Sequence, residues 1–155
     1  MNRKTYGTPL EGVRIVEHRL HKDERGYFVE MWKNAYDGMR GPFRQLNCAK
    51  SKKNVLRGLH YQDQTKLVMP ITGKIFDVAV DPMTGKWFGV ELDVSCGLFI
   101  SAKYAHGYLV LSDDAIVQYV VDKPYMKEYE RNYHYDAFDI EWPLDGPPIL
   151  SAKDA

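Results

Sequence analysis

The sequence predicts an all-β chain, a sandwich or barrel of short strands. Three observations carry that expectation. Val, Ile, Tyr and Phe concentrate in short runs, and these residue types suit a pleated, half-buried surface. Gly, Pro, Asp and Asn interrupt the runs as turn residues. No long amphipathic stretch stands ready as a crossover helix, which disfavours a parallel α/β sheet.

Strands are expected, in order, over residues 13–20, 26–32, 43–49, 55–61 and 66–71. Five more follow over 74–81, 89–93, 98–100, 107–111 and 115–121. Residues 34–40 suit one or two helical turns. Residues 63–65, 72–73 and 112–114 are candidate hairpin turns, and the Thr72-Gly73 pair between two apolar runs is the tightest. The tail 145–155, after Trp142-Pro143, reads as irregular.

Composition narrows the class. A length of 155 residues fits one domain, expected over 1–155, and suffices for a single core. Apolar residues make up 45% and charged residues 27%, as in ordinary globular proteins. Lys plus Arg and Asp plus Glu both number 21, so no net field favours nucleic acid or an anionic membrane. An anion must then be held by a local group of cations. Cys48 and Cys96 form no CxxC or Cys/His cluster and read as free thiols in a reducing compartment. Residues 1–12 hold no signal-peptide-like apolar stretch, and no run approaches the ~20 apolar residues of a membrane helix. A cytoplasmic protein is expected.

Few residues can move protons near neutral pH. His60 lies among apolar neighbours together with Arg57 and Gln62. This is either an edge strand with an exposed face or a strand with a polar site on it. A three-residue hairpin at 63–65 would set Gln62 opposite Lys66 and His60 opposite Val68, with His60, Gln62 and Lys66 on one face. A two-residue loop would turn Lys66 to the other face, as an ordinary charged residue. In 115–121, Ala115, Val117, Tyr119 and Val121 share a face, so Tyr119 is either core or a buried proton donor. His106 precedes an apolar strand and is either a structural histidine or part of a site. His18, His21 and His134 sit among polar residues and are expected at the surface. Arg25, Arg57 and Lys153 are cations suited to phosphate. Lys50-Ser51-Lys52-Lys53 reads as a solvated loop. There is no Walker loop, no GxGxxG and no GxSxG.

Several ordered segments carry a resemblance. They are Asp23-Glu24-Arg25-Gly26-Tyr27-Phe28-Val29-Glu30, Asn54-Val55-Leu56-Arg57-Gly58-Leu59-His60-Tyr61-Gln62, Lys66-Leu67-Val68, Phe76-Asp77-Val78-Ala79-Val80-Asp81, Ala105-His106-Gly107-Tyr108 and Leu150-Ser151-Ala152-Lys153-Asp154. As an ordered set, from about Gly12 to the end, the sequence resembles the dTDP-4-dehydrorhamnose 3,5-epimerases, cupin-type β jelly rolls. The resemblance implies His60 as base, Asp154 as its orienting carboxylate, Tyr119 as opposed acid and Lys66 facing the ketone oxygen. It implies that Tyr125 stacks on the nucleotide base. It places Arg25, Glu30, Gln45, Asn47, Arg57, His106, Glu130 and Lys153 at substrate-binding positions. It also implies a homodimer in which an N-terminal strand, here 13–20, joins the partner's sheet.

The chemistry suits those residues. Proton loss beside a ketone leaves an enolate, whose charge Lys66 and a nearby His would stabilise. A His base near neutral pKa, oriented by a carboxylate, takes the proton, and an acid on the other face returns one. No cofactor is expected. No metal is expected either, because the barrel offers only His60 and His106 and no His-x-His. Ideal alternation sets Arg57 and His60 on opposite faces, and a bend at Gly58 would bring both to the substrate. The chain stops one residue after Asp154, and chain ends fray unless docked. The alternatives are a sister epimerase that inverts only C3 or C5 or takes a CDP or GDP sugar, and a non-catalytic cupin that binds sugars.

Overall fold

The computed structural model describes residues 4–33 and 42–155. The helical turns expected at 34–40 lie outside these residues. The first strands are β1 (Thr5–Gly7), β2 (Val13–Glu17), β3 (Leu20–Asp23), β4 (Gly26–Val29) and β5 (Gln45–Lys52). Next come β6 (Leu56–Tyr61), β7 (Lys66–Thr72), β8 (Ile75–Val80) and β9 (Trp87–Leu92). The last are β10 (Cys96–Ile100), β11 (Ala105–Val110), β12 (Asp114–Val121) and β13 (Arg131–Asn132). A short 3-10 turn, Lys127–Tyr129, precedes β13. The ten expected strands all form, with ends shifted by a few residues. Three more strands form that were not expected: β3, which begins where the expected 13–20 strand was to end, and β1 and β13, at three and two residues too short to leave a periodic signal.

The strands pair antiparallel into two sheets, of order β1-β2-β10-β7-β12-β5 and β13-β6-β11-β8-β9. β3 and β4 form a separate two-stranded sheet. Val68, Leu98, Ile100, Ala115 and Val117 from one large sheet pack with Ile75, Ala79, Leu92 and Val110 from the other in one apolar cluster. Each valine, leucine or isoleucine among them, fully buried, contributes about 1.5–3 kcal/mol. This is the cupin-type jelly roll expected from the resemblance. The period-two pattern of β12 is realised: Ala115, Val117 and Val121 are buried, and Tyr119 packs against the same cluster.

The three expected hairpins do not exist. β6 and β7, β7 and β8, and β11 and β12 each lie in different sheets, so the turns between them are crossings. Gln62 therefore does not pair with Lys66, nor His60 with Val68. His60 pairs with His106 and Asn132, and Val68 with Leu98 and Tyr119. A turn residue marks where the chain reverses but not which sheet receives the next strand. Gly73 illustrates this. Its φ is +79° and a Cβ there would stand 2.3 Å from the Asp114 carbonyl oxygen, so the 72–73 and 112–114 crossings lie against each other at one end of the barrel.

Two further expectations are corrected. Residues 13–20 are not one strand: β2 ends at Glu17, paired with β1 and β10, and Leu20 opens β3. His18, expected at the surface, is 2% exposed, with Nδ1 3.3 Å from the Val94 carbonyl. It follows the last residue of β2, where the chain turns inward. His21 and His134 are exposed.

Candidate active site

The two sheets part at one end around a cavity of about 330 Å³. β6 and β11 line one wall with Arg57, His60, His106 and Tyr108. β5, β7 and β12 line the other with Gln45, Asn47, Lys66 and Tyr119. Gln62 and Gln64 from the β6–β7 crossing complete the lining, with Tyr125, Glu130 and Lys153 near the chain's C-terminal part. A sheet-to-sheet crossing thus does what the expected hairpin was meant to do. It brings His60 and Lys66 to one space, but from facing walls.

Local sequence explains how Arg57 and His60 share a wall. In the β6–β11 ladder, His60 stands opposite His106 and Arg57 opposite Tyr108, so three steps on β6 match two on β11. The extra residue cancels the alternation and turns both side chains inward. Gly58 (φ +131°) makes this possible, since a Cβ there would sit 2.6 Å from the Gly107 Cα. The bend expected at Gly58 is a bulge built on two glycines facing each other.

The chain end is docked. Ile149 N–H donates to the Asn54 carbonyl at 2.9 Å, and Leu56 N–H to the Ile149 carbonyl at 3.0 Å. A turn follows in which Asp154 N–H donates to the Ser151 carbonyl at 3.1 Å. Asp154 is consequently 6% exposed, behind His60. Its Oδ1 lies 2.5 Å from His60 Nε2, and its Oδ2 accepts from Gly58 N–H at 3.2 Å. Burial lowers the His60 pKa and Asp154 partly restores it. A neutral His60 that donates from Nε2 to Asp154 keeps Nδ1 as its basic nitrogen.

Sequence reasoning passed over a second dyad. Asp77 on β8 is fully buried, and its Oδ1 is 2.6 Å from His106 Nε2. Asp77 lies in an otherwise continuously apolar run, Ile75 to Val80. A charge where the pattern demands a core residue was the available signal. Lys66 is 5% exposed, and burial pushes its ammonium down to about 8 while Asp77 pulls back. Its Nζ lies 6.0 Å from the centroid of the Tyr119 ring. Burial raises the Tyr119 pKa, and Asn47, Arg57 and Lys153 temper the rise.

The mouth is organised by amides. Gln62 donates to the Met126 carbonyl at 3.0 Å, and Gln45 Oε1 accepts from Tyr125 N–H at 2.9 Å. These bonds hold the segment that carries the half-exposed Tyr125. The Tyr125 hydroxyl donates to Glu130 at 2.8 Å, and Lys153 is ion-paired with the same carboxylate. Two expected substrate-binding residues stand elsewhere. Arg25, ion-paired with Asp23 at 2.5 Å, lines a shallow hollow on the β3–β4 hairpin, and Glu30 lies just beyond that hairpin, outside the cavity. Among the described residues, no three His, Cys, Asp or Glu side chains are grouped to hold a metal ion. No helix among them is long and apolar enough to cross a membrane.

The sequence and the fold have counterparts in known proteins. The sequence model of the family described as dTDP-4-dehydrorhamnose 3,5-epimerase matches residues 7–155. The chain is 42% identical to a dTDP-4-dehydrorhamnose 3,5-epimerase of Methanothermobacter thermautotrophicus, over 95% of this chain and 89% of that one. Its fold is similar to that of a dTDP-6-deoxy-D-glucose-3,5-epimerase from Legionella pneumophila, solved in complex with dTDP-4-keto-L-rhamnose. That match has a TM-score of 0.93 and 37% identity, and covers 99% of this chain and 90% of that one. A 3'-monoepimerase from Streptomyces bikiniensis, solved in complex with dTDP-quinovose, superposes with a TM-score of 0.85 at 28% identity, covering 96% and 84% of the two chains. With 42% identity to a named relative and a family match over almost its whole length, the chain belongs to the dTDP-4-dehydrorhamnose 3,5-epimerase family.

Proposed function

We propose that the chain is an isomerase, a 3,5-epimerase that converts dTDP-4-dehydro-6-deoxy-D-glucose to dTDP-4-dehydro-L-rhamnose, with residues 1–155 acting as one domain. The observation that carries this reading is the placement of the His60–Asp154 dyad and Tyr119 on facing walls of one cavity. Inversion needs a base on one side of the sugar ring and an acid on the other. His60 Nδ1 takes the proton beside the ketone, and Asp154 stabilises the imidazolium that forms. The electron pair moves to the ketone oxygen, where the Lys66 ammonium and His106, oriented by Asp77, stabilise the enolate. Tyr119 returns a proton from the opposite face. The protons balance with no redox step.

Arg57 and Lys153 bind the pyrophosphate together with Gln45 and Asn47, and Tyr125 stacks on the base. In the free protein Glu130 neutralises Lys153. Arg25 and Glu30 then fit as groups supplied by a second copy in a homodimer. The β3–β4 hairpin belongs to neither large sheet and exposes Tyr27 at 51% and Phe28 at 69%. This hairpin, rather than β2, is the segment suited to reach a partner. Light scattering that gave a monomer mass would refute the dimer. The reading places the enzyme in the cytoplasm, supplying rhamnose for surface polysaccharide.

The test is proton NMR of dTDP-4-dehydro-6-deoxyglucose with the protein in deuterated water. Deuterium at both C3 and C5, with dTDP-rhamnose formed once a reductase and its cofactor are added, is expected. The likeness to a 3'-monoepimerase supports a second reading, inversion at one carbon, and deuterium at that carbon alone would select it. No exchange with dTDP, CDP or GDP 4-keto sugars would leave a sugar-binding module.

A further inference from the structure

The reaction above leaves one buried group in the cavity without a task. Tyr108 follows His106 by two residues on β11, faces the same way, and stands opposite Asp77 in the β8 register. It is 3% exposed and lines the cavity, and it also belongs to the apolar cluster beneath. It therefore forms the floor. The His106 ring lies 6.1 Å from the Tyr108 ring and 6.5 Å from the Tyr119 ring, centroid to centroid.

The Tyr108 hydroxyl is buried, and the neighbouring Ser51 hydroxyl, which already accepts from Arg57 Nε, interacts with it without meeting hydrogen-bond geometry, so no side chain among the described residues satisfies it. Its neighbours are engaged: Arg57 Nε donates to Ser51 Oγ at 2.8 Å, and His106 is bound to Asp77. A buried phenol ordinarily finds a partner, and leaving one without costs free energy that a phenylalanine of the same shape would not. The hydroxyl is therefore poised for an acceptor that comes from outside the chain. Burial pushes its pKa up to about 12, with Arg57 and Ser51 tempering the rise, so it stays protonated and serves as a donor rather than as an acid or base. The half-exposed Tyr125 and the Glu130–Lys153 pair mark the nucleotide end at the mouth, whereas Tyr108 lies at the depth of His106.

We propose that Tyr108 is a specificity-determining residue whose hydroxyl donates a hydrogen bond to an oxygen of the 4-keto-6-deoxy sugar at the cavity floor. The inference rests on the epimerase reading. It is tested with Tyr108→Phe in the full chain, by thermal melting, by dTDP binding in calorimetry, and by steady-state turnover of dTDP-4-dehydro-6-deoxyglucose. The melting temperature is expected to hold or rise, because the substitution removes an unpaired polar atom. The Kd for dTDP alone is expected to stay within about twofold, while KM for the sugar nucleotide rises about tenfold and kcat falls less. A lower melting temperature with unchanged KM would make the hydroxyl structural and overturn the assignment. Equal weakening of dTDP and sugar-nucleotide binding would overturn it in favour of a nucleotide contact. Absence of turnover in the unsubstituted protein would instead refute the epimerase reading, and this assignment with it.

Discussion

Asp154→Asn isolates the part of the site that depends on the chain end. The substitution keeps size and removes charge. In the structure Asp154 Oδ1 is 2.5 Å from His60 Nε2, and Oδ2 accepts from Gly58 N–H, both out of bulk water. A hydrogen bond to a charged group is worth about 1.5–3 kcal/mol. The imidazolium that uses this charge forms only as the proton leaves the sugar, so the loss falls on the chemical step. At about 1.4 kcal/mol per decade, kcat drops roughly 10–150-fold while dTDP binding holds. The figure is a lower bound, because an asparagine that keeps an acceptor toward Gly58 N–H turns its amide N–H₂ toward His60 and holds the wrong tautomer. The pH profile gives an independent check. Burial lowers the His60 pKa and Asp154 raises it, so removing the carboxylate lowers the pKa further. The acid limb of kcat/KM should therefore move to lower pH. The assay is a coupled reductase rate across pH, with thermal melting as a control for folding. Activity within threefold of the unsubstituted protein, or an acid limb displaced upward, would refute a His60–Asp154 base.

Other perturbations separate the remaining roles. Tyr119→Phe should keep deuterium exchange at C3 or C5 while abolishing net inversion; inversion at a normal rate would remove Tyr119 as the acid. Lys66 carries its charge only below about pH 8, so kcat should fall above that pH, and Lys66→Gln should lower kcat and remove that alkaline limb. Stability has the opposite sign at this residue. Between about 8 and 10.5 the unfolded chain binds the proton that the folded chain has lost, so Lys66 makes the fold more stable as pH rises through that window, a gain that urea titrations of the Lys66→Gln variant should lack. Gly58→Ala places a Cβ 2.6 Å from the Gly107 Cα at φ +131°, and a strained backbone of this kind costs about 1–3 kcal/mol, so the urea midpoint should fall along with activity. An unchanged midpoint would mean that the bulge does not need glycine.

Much of the fold was legible because strand patterning is local. β12 shows Ala115, Val117, Tyr119 and Val121 on one face, and the structure buries that face. Pairing was not legible in the same way. The turns at 63–65, 72–73 and 112–114 carry residues that also suit hairpins, and nothing local says that the next strand crosses to the other sheet. The site divides along the same line. His60, Lys66 and Tyr119 were named from resemblance and alternation, and the structure gathers them. Asp77 was missed although it sits as a lone carboxylate in an apolar strand. Arg25 and Glu30 were named, yet within one chain they lie outside the cavity. Sequence similarity assigns residues to a site without saying which copy of the chain supplies them.

The crossings also explain why this fold suits a reaction that works on both faces of a ring. His60 and Lys66 are six residues apart, and a hairpin would have set them side by side on one wall. Because the chain crosses between β6 and β7, they face each other instead. The same crossing between β11 and β12 separates His106 from Tyr119. In the proposed mechanism each sheet then holds one half of the proton chemistry: the histidines of β6 and β11 with their aspartates, and the lysine and tyrosine of β7 and β12. An apolar core shared by both sheets fixes the distance between the walls. In the proposed reaction, base and acid thereby stand on opposite sides of the ring, and this separation is what an inversion requires and a simple binding site does not.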